Sequence, residues 1–369
     1  MNIRRIVSIS SIAVLVASVF VAPTFAAGNP NCTEVDGDYI VTFSKGAVVA
    51  NEIKNVNGRD VTPKFMYDEA VNGFAGFLTG AQVCNYKKRG NVLSVEADQE
   101  VSIQATQSGA TWGLDRVDQI DLPLSTAYSY VSAGAGVDAY VIDTGILGTH
   151  TEFTRRMKSG YSAIGSSKNT TDCNGHGTHV AGTIGGTLYG VAKAVSLIPV
   201  RVLDCRGSGT NSGVIAGINW AIKNHTTNKA VANLSLGGGI SSTLDTAINN
   251  LIKDGVTVVV AAGNSAANAC NSSPARVPGA VTVAASASND SIASFSNIGS
   301  CVDIIAPGVA ITSAWHTSTS AINTISGTSM AAPHVAGAIA RGLSGGFSVL
   351  GVSTKSIAGY PLLYVDPAK

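Results

Sequence analysis

The chain has 369 residues, room for one large domain together with processed segments, and its 41 glycines suit a fold with many tight turns and close backbone approaches. Its formal net charge is +1 and 13% of its residues are charged. That balance lacks the electrostatic footprint of a nucleic-acid binder and excludes that partner class.

The amino terminus carries an export pattern. Arg4-Arg5 form a short positive region, Ile6 to Val21 are nearly all apolar or small, and Thr24-Phe25-Ala26 ends in a small residue suited to signal peptidase. Residues 1–26 are therefore expected to be removed and the rest secreted to the extracellular space. A membrane anchor is disfavoured, because the apolar run is short and Pro23 follows it. Export allows disulfides among Cys32, Cys84, Cys173, Cys205, Cys270 and Cys301, for which composition alone leaves fifteen pairings. No two of them have the Cys-x-x-Cys spacing of a metal site.

Residues 27–104 read as a small α+β unit. Tyr39 to Phe43 is a β-rich run, Val71 to Thr79 alternates small and aromatic residues around two glycines, and Val92 to Val101 is extended and acidic. Residues 105–369 read as one α/β domain without repeats or linkers. Strands are predicted over Val137 to Ile142, Val195 to Val202, Val231 to Leu236 and Val256 to Ala262. Helices are predicted over Gly175 to Gly186, Ser212 to Asn224, Leu244 to Lys253 and Ser329 to about Arg341. This alternation predicts a mainly parallel sheet with helices on both faces. Asp143 and Asn264 then fall at or just beyond strand carboxyl ends, where open α/β sheets bind ligands.

Three short words in this domain carry reactive groups. Asp143 lies in Val-Ile-Asp-Thr-Gly, His176 in Asn-Gly-His-Gly-Thr-His and Ser329 in Gly-Thr-Ser-Met-Ala-Ala-Pro-His. A serine hydroxyl is a poor nucleophile until an imidazole takes its proton and a carboxylate orients that imidazole. The two-carboxylate chemistry of aspartic proteases would need a second Asp-Thr-Gly, and the zinc word His-Glu-x-x-His lacks its Glu between His176 and His179. No Gly-x-Ser-x-Gly elbow surrounds Ser329, as an esterase of the α/β-hydrolase type would require. Ser329 opens a helix whose unpaired N–H groups point at what it attacks, and Pro333 cannot bond the carbonyl of Ser329. The order Asp, His, Ser is that of subtilisin.

At these residues the chain resembles the subtilase family of secreted serine peptidases, within it the proteinase K branch and the aqualysin-like enzymes. The matching words run in family order: YVIDTG, DCNGHGTHVAGTIGG, YGVAKAV, RVLDC, SLGGG, AAGN, SPARVPGAVTV, FSNIGSCVDIIAPG and ISGTSMAAPHVAG. The resemblance implies an endopeptidase with Asp143, His176 and Ser329 as triad and Asn264 as side-chain oxyanion donor beside the Ser329 backbone N–H. It also implies that Gly207, Ser208 and Gly209 on one side, and Ser235, Leu236 and Gly237 on the other, sandwich an extended peptide. Ala262 and Gly263 would help wall a pocket for apolar or aromatic side chains, with Ser272 where relatives often carry a larger residue.

The same resemblance pairs Cys173 with Cys205 and Cys270 with Cys301, leaving Cys32 and Cys84 to the amino-terminal unit. The words DYIVTF, VNGFAGFLT and NVLSVEADQEV resemble an inhibitor-type propeptide, which implies an intramolecular inhibitor cut away near Gln104. Structural calcium is implied at the carbonyls of Pro278 and Ala280 with Asp303, and at Asp115, Asp118 and Gln119, although Ser125 or Ala127 stands where relatives place another ligand. No catalytic cofactor is implied, and the enzyme is expected to be a monomer acting on polypeptides. One departure concerns the 28 residues after Arg341 (369 minus 341). Relatives continue that helix and add another, whereas here Leu362 to Tyr364 already resembles their final strand.

Overall fold

The computed structural model describes residues 33–69, 71–98, 105–166, 168–227, 229–350 and 355–369. The expected leader, Cys32 and the expected cleavage region near Gln104 lie outside the described residues. The chain divides into two compact units, Met1–Val101 and Ser102–Lys369.

In the first unit, β1 (Gly37–Phe43), α1 (Val49–Glu52), β2 (Phe65–Tyr67), β3 (Gly73–Leu78), α2 (Gly80–Lys87) and β4 (Val92–Ala97) follow in order. The antiparallel sheet runs β2-β3-β1-β4, with Val41 of β1 opposite both Phe74 and Val95. Val41, Phe43 and Phe74 pack with Val49, Ile53, Val83 and Tyr86 into the core of this unit. Thr79 and Gln82 cap α2 reciprocally, which satisfies donors that a helix start leaves unpaired.

The second unit begins with β5 (Ala105–Ser108), α3 (Trp112–Val117) and β6 (Ala127–Tyr130). It continues with β7 (Asp138–Asp143), β8 (Tyr161–Ser162), α4 (His176–Gly185), β9 (Ser196–Arg201), α5 (Asn211–Asn224), β10 (Ala230–Leu234), α6 (Ser242–Lys253), β11 (Thr257–Ala261), β12 (Val281–Ser286) and β13 (Ile304–Pro307). Seven strands form the sheet β13-β12-β11-β10-β7-β9-β8, and each adjacent pair is parallel. Alternation along β7 divides its side chains between two cores. Ala139 and Val141 pack with Val180 and Ile184 of α4 on one face, while Tyr140 and Ile142 pack with Ile218 and Ile248 of α5 and α6 on the other. The expected parallel sheet with helices on both faces is therefore observed. Thr210 and Ser241 cap α5 and α6 by accepting from Gly213 N and Leu244 N.

The chain ends through β14 (Ile311–Ala314), β15 (Ile322–Ile325), α7 (Thr328–Gly345), β16 (Ser356–Ile357) and β17 (Tyr360–Pro361). The last long helix runs past the expected end at Arg341. The buried Arg341 guanidinium donates to Ser132 O, Tyr128 Oη and Lys369 O, anchoring the turn that the glycines alone would weaken. Leu362 and Leu363 then add to the outer edge of β13 through Ile305, as their likeness to a final strand implied.

Candidate functional site

Asp143 closes β7 and is fully buried. The turn after it needs Gly145, whose φ of +105° and 2.4 Å approach of a notional Cβ to Thr170 O leave no place for a side chain. His176 opens α4, and a Cβ on the next residue, Gly177, would meet Gly145 O at 2.2 Å. The helix start and the strand end are thereby brought into contact. His176 Nδ1 lies 2.8 Å from Asp143 Oδ1 and 3.0 Å from Oδ2, with the imidazole one-quarter exposed. Burial works to lower the His176 pKa, but the adjacent Asp143 charge and hydrogen bond outweigh it and hold it above the ordinary imidazole value.

Ser329 sits in the first turn of α7, where its N–H has no intrahelical acceptor. Its Oγ donates to Ser235 O at 3.1 Å. Asn264 follows β11, and its Oδ1 accepts from both Thr328 N and Thr328 Oγ1 at 2.8 Å. With the carbonyl end of the amide held there, Nδ2 turns toward the Gly327 side of Ser329, 3.5 Å from a notional Cβ on Gly327.

Two cavities flank these groups. One of about 430 Å³ is bordered by His176, by Gly207, Ser208 and Gly209, and by Ser235, Leu236 and Gly237. Another of about 300 Å³ is bordered by Leu236, Gly237, Ala262, Gly263, Asn264, Ser272 and Ser329. Residues expected to contact substrate thus line connected walls, with Leu236 and Gly237 shared. Asn297 was not singled out by the sequence. Its Oδ1 accepts from Ser265 N and Ala267 N, and its Nδ2 donates to Ala262 O, so it holds the segment that carries Asn264. Thr328 was likewise missed; each was visible only as a polar residue inside a matching word.

His179 plays a different part from His176. It is fully buried, its Nε2 donates to Ile311 O at 3.0 Å, and burial pushes its pKa down to about 4, so it is a neutral packing residue.

Cys173–Cys205 and Cys270–Cys301 are both bonded as the resemblance implied. Cys84 is also disulfide-bonded, and Cys32, assigned with it to the amino-terminal unit, lies outside the described residues.

The expected calcium ligands fall into two different situations. Pro278, Ala280 and Asp303 border one cavity of about 280 Å³, with Asp303 Oδ2 accepting from Thr282 N, so these residues fit an oxygen-ligated cation. Asp115 and Gln119 instead spend their oxygens on Ser125 and Thr126: Asp115 Oδ1 accepts from Ser125 N and Oγ, Asp115 Oδ2 from Thr126 N, and Gln119 Oε1 from Ser125 N. Asp118 Oδ2 accepts from Ser129 N. This second set clasps a loop, while Asp118 Oδ1 is buried with no hydrogen-bond partner among the described residues. Among the described residues no group of three or more His, Cys, Asp or Glu could hold a metal, and no helix is long and apolar enough to cross a membrane.

Residues 134–350 match the Subtilase family. An "Extracellular serine proteinase" of Thermus sp. (strain Rt41A) is 59% identical over 275 residues, covering 74% of this chain and 67% of that protein. "Alkaline serine exoprotease A" of Vibrio alginolyticus is 50% identical over 338 residues, covering 87% of this chain and 63% of that protein, so the chain spans less than two thirds of its length. A solved structure described as a cold adapted subtilisin-like serine proteinase superposes with a TM-score of 0.66 at 50% identity, covering 70% of this chain and 98% of that one.

Proposed function

Because the chain belongs to the subtilase family, we propose that it is an extracellular serine endopeptidase that cleaves polypeptides through Asp143, His176 and Ser329. The observation that carries this reading is the double approach of Asp143 to His176 Nδ1, which leaves Nε2 free to take a proton. As Ser329 Oγ bonds to the substrate carbonyl carbon, its proton passes to Nε2 and Asp143 stabilises the imidazolium. Collapse of the tetrahedral species breaks the C–N bond, and the leaving amine takes that proton. Water then attacks the acyl ester with His176 again as base, and the returning proton restores Ser329. Asn264 Nδ2 and the Ser329 N–H receive the oxyanion in both halves.

The substrate backbone runs between the 207–209 and 235–237 segments, and the cavity walled by Leu236, Ala262 and Gly263 takes an apolar or aromatic side chain. Residues 27–104 act as propeptide and intramolecular inhibitor, removed by self-cleavage after loss of the 1–26 leader, and the enzyme works as a monomer. Bound calcium would supply a fixed positive charge joining the 278–280 turn to Asp303. Hydrolysis of azocasein, abolished by a serine-directed inhibitor, tests the reading; inhibitor-resistant hydrolysis, or ester cleavage without peptide cleavage, would sink it.

A further inference from the structure

Asp172 is 3% exposed and forms no ion pair among the described residues. Its charge is met by five donors. Oδ1 accepts from Thr144 Oγ1 at 2.9 Å, Asn174 N at 2.8 Å and Gly175 N at 2.9 Å, and Oδ2 accepts from Thr178 N at 2.9 Å and Thr178 Oγ1 at 2.6 Å. Burial opposes its ionisation, but the Gly175, Thr178 and Asn174 hydrogen bonds prevail and hold its pKa below the ordinary carboxylate value.

These donors belong to separate parts of the site. Thr144 directly follows Asp143 at the end of β7, residues 174 and 175 lead into α4, and Thr178 lies in the first turn that begins at His176. An Asp ahead of a helix is commonly a cap, and the bonds to Gly175 and Thr178 suffice for that role. The Thr144 bond does not serve a cap. Thr144 Oγ1 also accepts from Gly177 N at 2.9 Å, so Asp172, Thr144 and the Gly177-Thr178 segment close a ring that spans the strand end and the helix start.

We propose that Asp172 is a positioning residue for the reaction assigned above, tying the Asp143 strand end to the His176 helix start and holding a second negative charge behind the imidazole. The inference rests on the triad reading. The titratable groups around His176 are Asp143 on β7, Asp172 before α4, His179 on α4 with His334 of α7 beyond it, and His316 against Gly175. Burial pushes His179 and His334 down to about 4, and the Asp143 and Asp172 carboxylates both act on His176. Both favour the protonated imidazole.

The test compares Asp172→Asn, Thr144→Val and Ser329→Ala in the full-length secreted protein. Asp172→Asn is expected to lower kcat about 10- to 100-fold through misplacement of the base, with KM held within about twofold. Because one negative charge is removed, the acid limb of its kcat/KM profile should move to lower pH, a shift that loss of packing alone would not produce. Thr144→Val keeps the charge and cuts the ring, so kcat should fall while the limb stays in place. A folded Asp172→Asn enzyme with wild-type kcat and an unmoved limb overturns the proposal. Should that variant not accumulate, Thr144→Val decides: wild-type kcat overturns the proposal, and reduced kcat at unchanged KM and Tm supports it. Residual activity in Ser329→Ala would instead overturn the triad reading.

Discussion

Ser235 and Ser329 exchange hydrogen bonds: Ser235 Oγ donates to Ser329 O at 2.8 Å, and Ser329 Oγ donates to Ser235 O at 3.1 Å. The first bond exists because Pro333, four residues along α7, has no N–H for the Ser329 carbonyl. Asn233 Nδ2 donates to Ser235 Oγ at 2.9 Å, which directs the Ser235 proton to that carbonyl. Ser235→Ala strands the Ser329 carbonyl, and we expect a stability loss of about 1–3 kcal/mol. Denaturant unfolding of inhibitor-blocked enzyme measures it, and an unchanged midpoint would show that the bond contributes nothing.

Ser329→Ala removes the proposed nucleophile and is expected to lower turnover by about 10⁶. Under the self-processing reading it should also leave the precursor uncut near Gln104. Amino-terminal sequencing and mass of the secreted variant check both; normal maturation of purified Ser329→Ala would refute self-cleavage.

Asn264→Leu deletes one proposed oxyanion donor while leaving Asp143, His176 and Ser329 in place. The expected loss is about 10² to 10³ in kcat with KM little changed. Steady-state kinetics on a peptide substrate separate the two, and a defect confined to KM would contradict the assignment. Thr328 Oγ1 and N, which hold Asn264 Oδ1, would also lose their acceptor, so the melting temperature should be recorded alongside.

Reduction of Cys173–Cys205, which are 32 residues apart in sequence, should cost about 3–4 kcal/mol in the chain-entropy account. Arg201 Nη2 lies 3.0 Å from Cys173 Sγ, and the adjoining Asp172 reaches α4, so activity should decline with stability. Replacement of both cysteines by serine, followed by melting and kcat, is the measurement. Full retention of both quantities would sever the bridge from the site.

Calcium at Pro278, Ala280 and Asp303 would stabilise the folded chain by about 2.7 kcal/mol at a hundredfold excess over Kd. A chelator should therefore shorten the thermal half-life of the wild type and leave Asp303→Asn almost unaffected. An equal half-life with and without chelator would remove calcium from the account of stability.

The sequence by itself determined the class of chain. Asp143, His176 and Ser329 stand in short words whose neighbours dictate local geometry: an apolar run ending in Asp-Thr-Gly builds a buried strand and a turn, and Pro333 frees a carbonyl wherever the helix lies. The unbroken apolar run of Ala139, Tyr140, Val141 and Ile142 likewise predicts a strand buried on both faces, because side chains along a strand point alternately to opposite sides. Tertiary structure decided what lies beside what. α7 runs to Gly345, past the expected end at about Arg341, whose guanidinium is held by the distant Ser132, Tyr128 and Lys369 oxygens. Asn297 behind Asn264, Thr328 beneath it and the Asp172 ring with Thr144 and Gly177 were equally invisible, since a polar residue in a loop has no periodicity to reveal its partner. Local residue order fixes conformations over a few residues, whereas hydrogen bonds across tens or hundreds of positions arise only when the two cores pack the sheet against its helices.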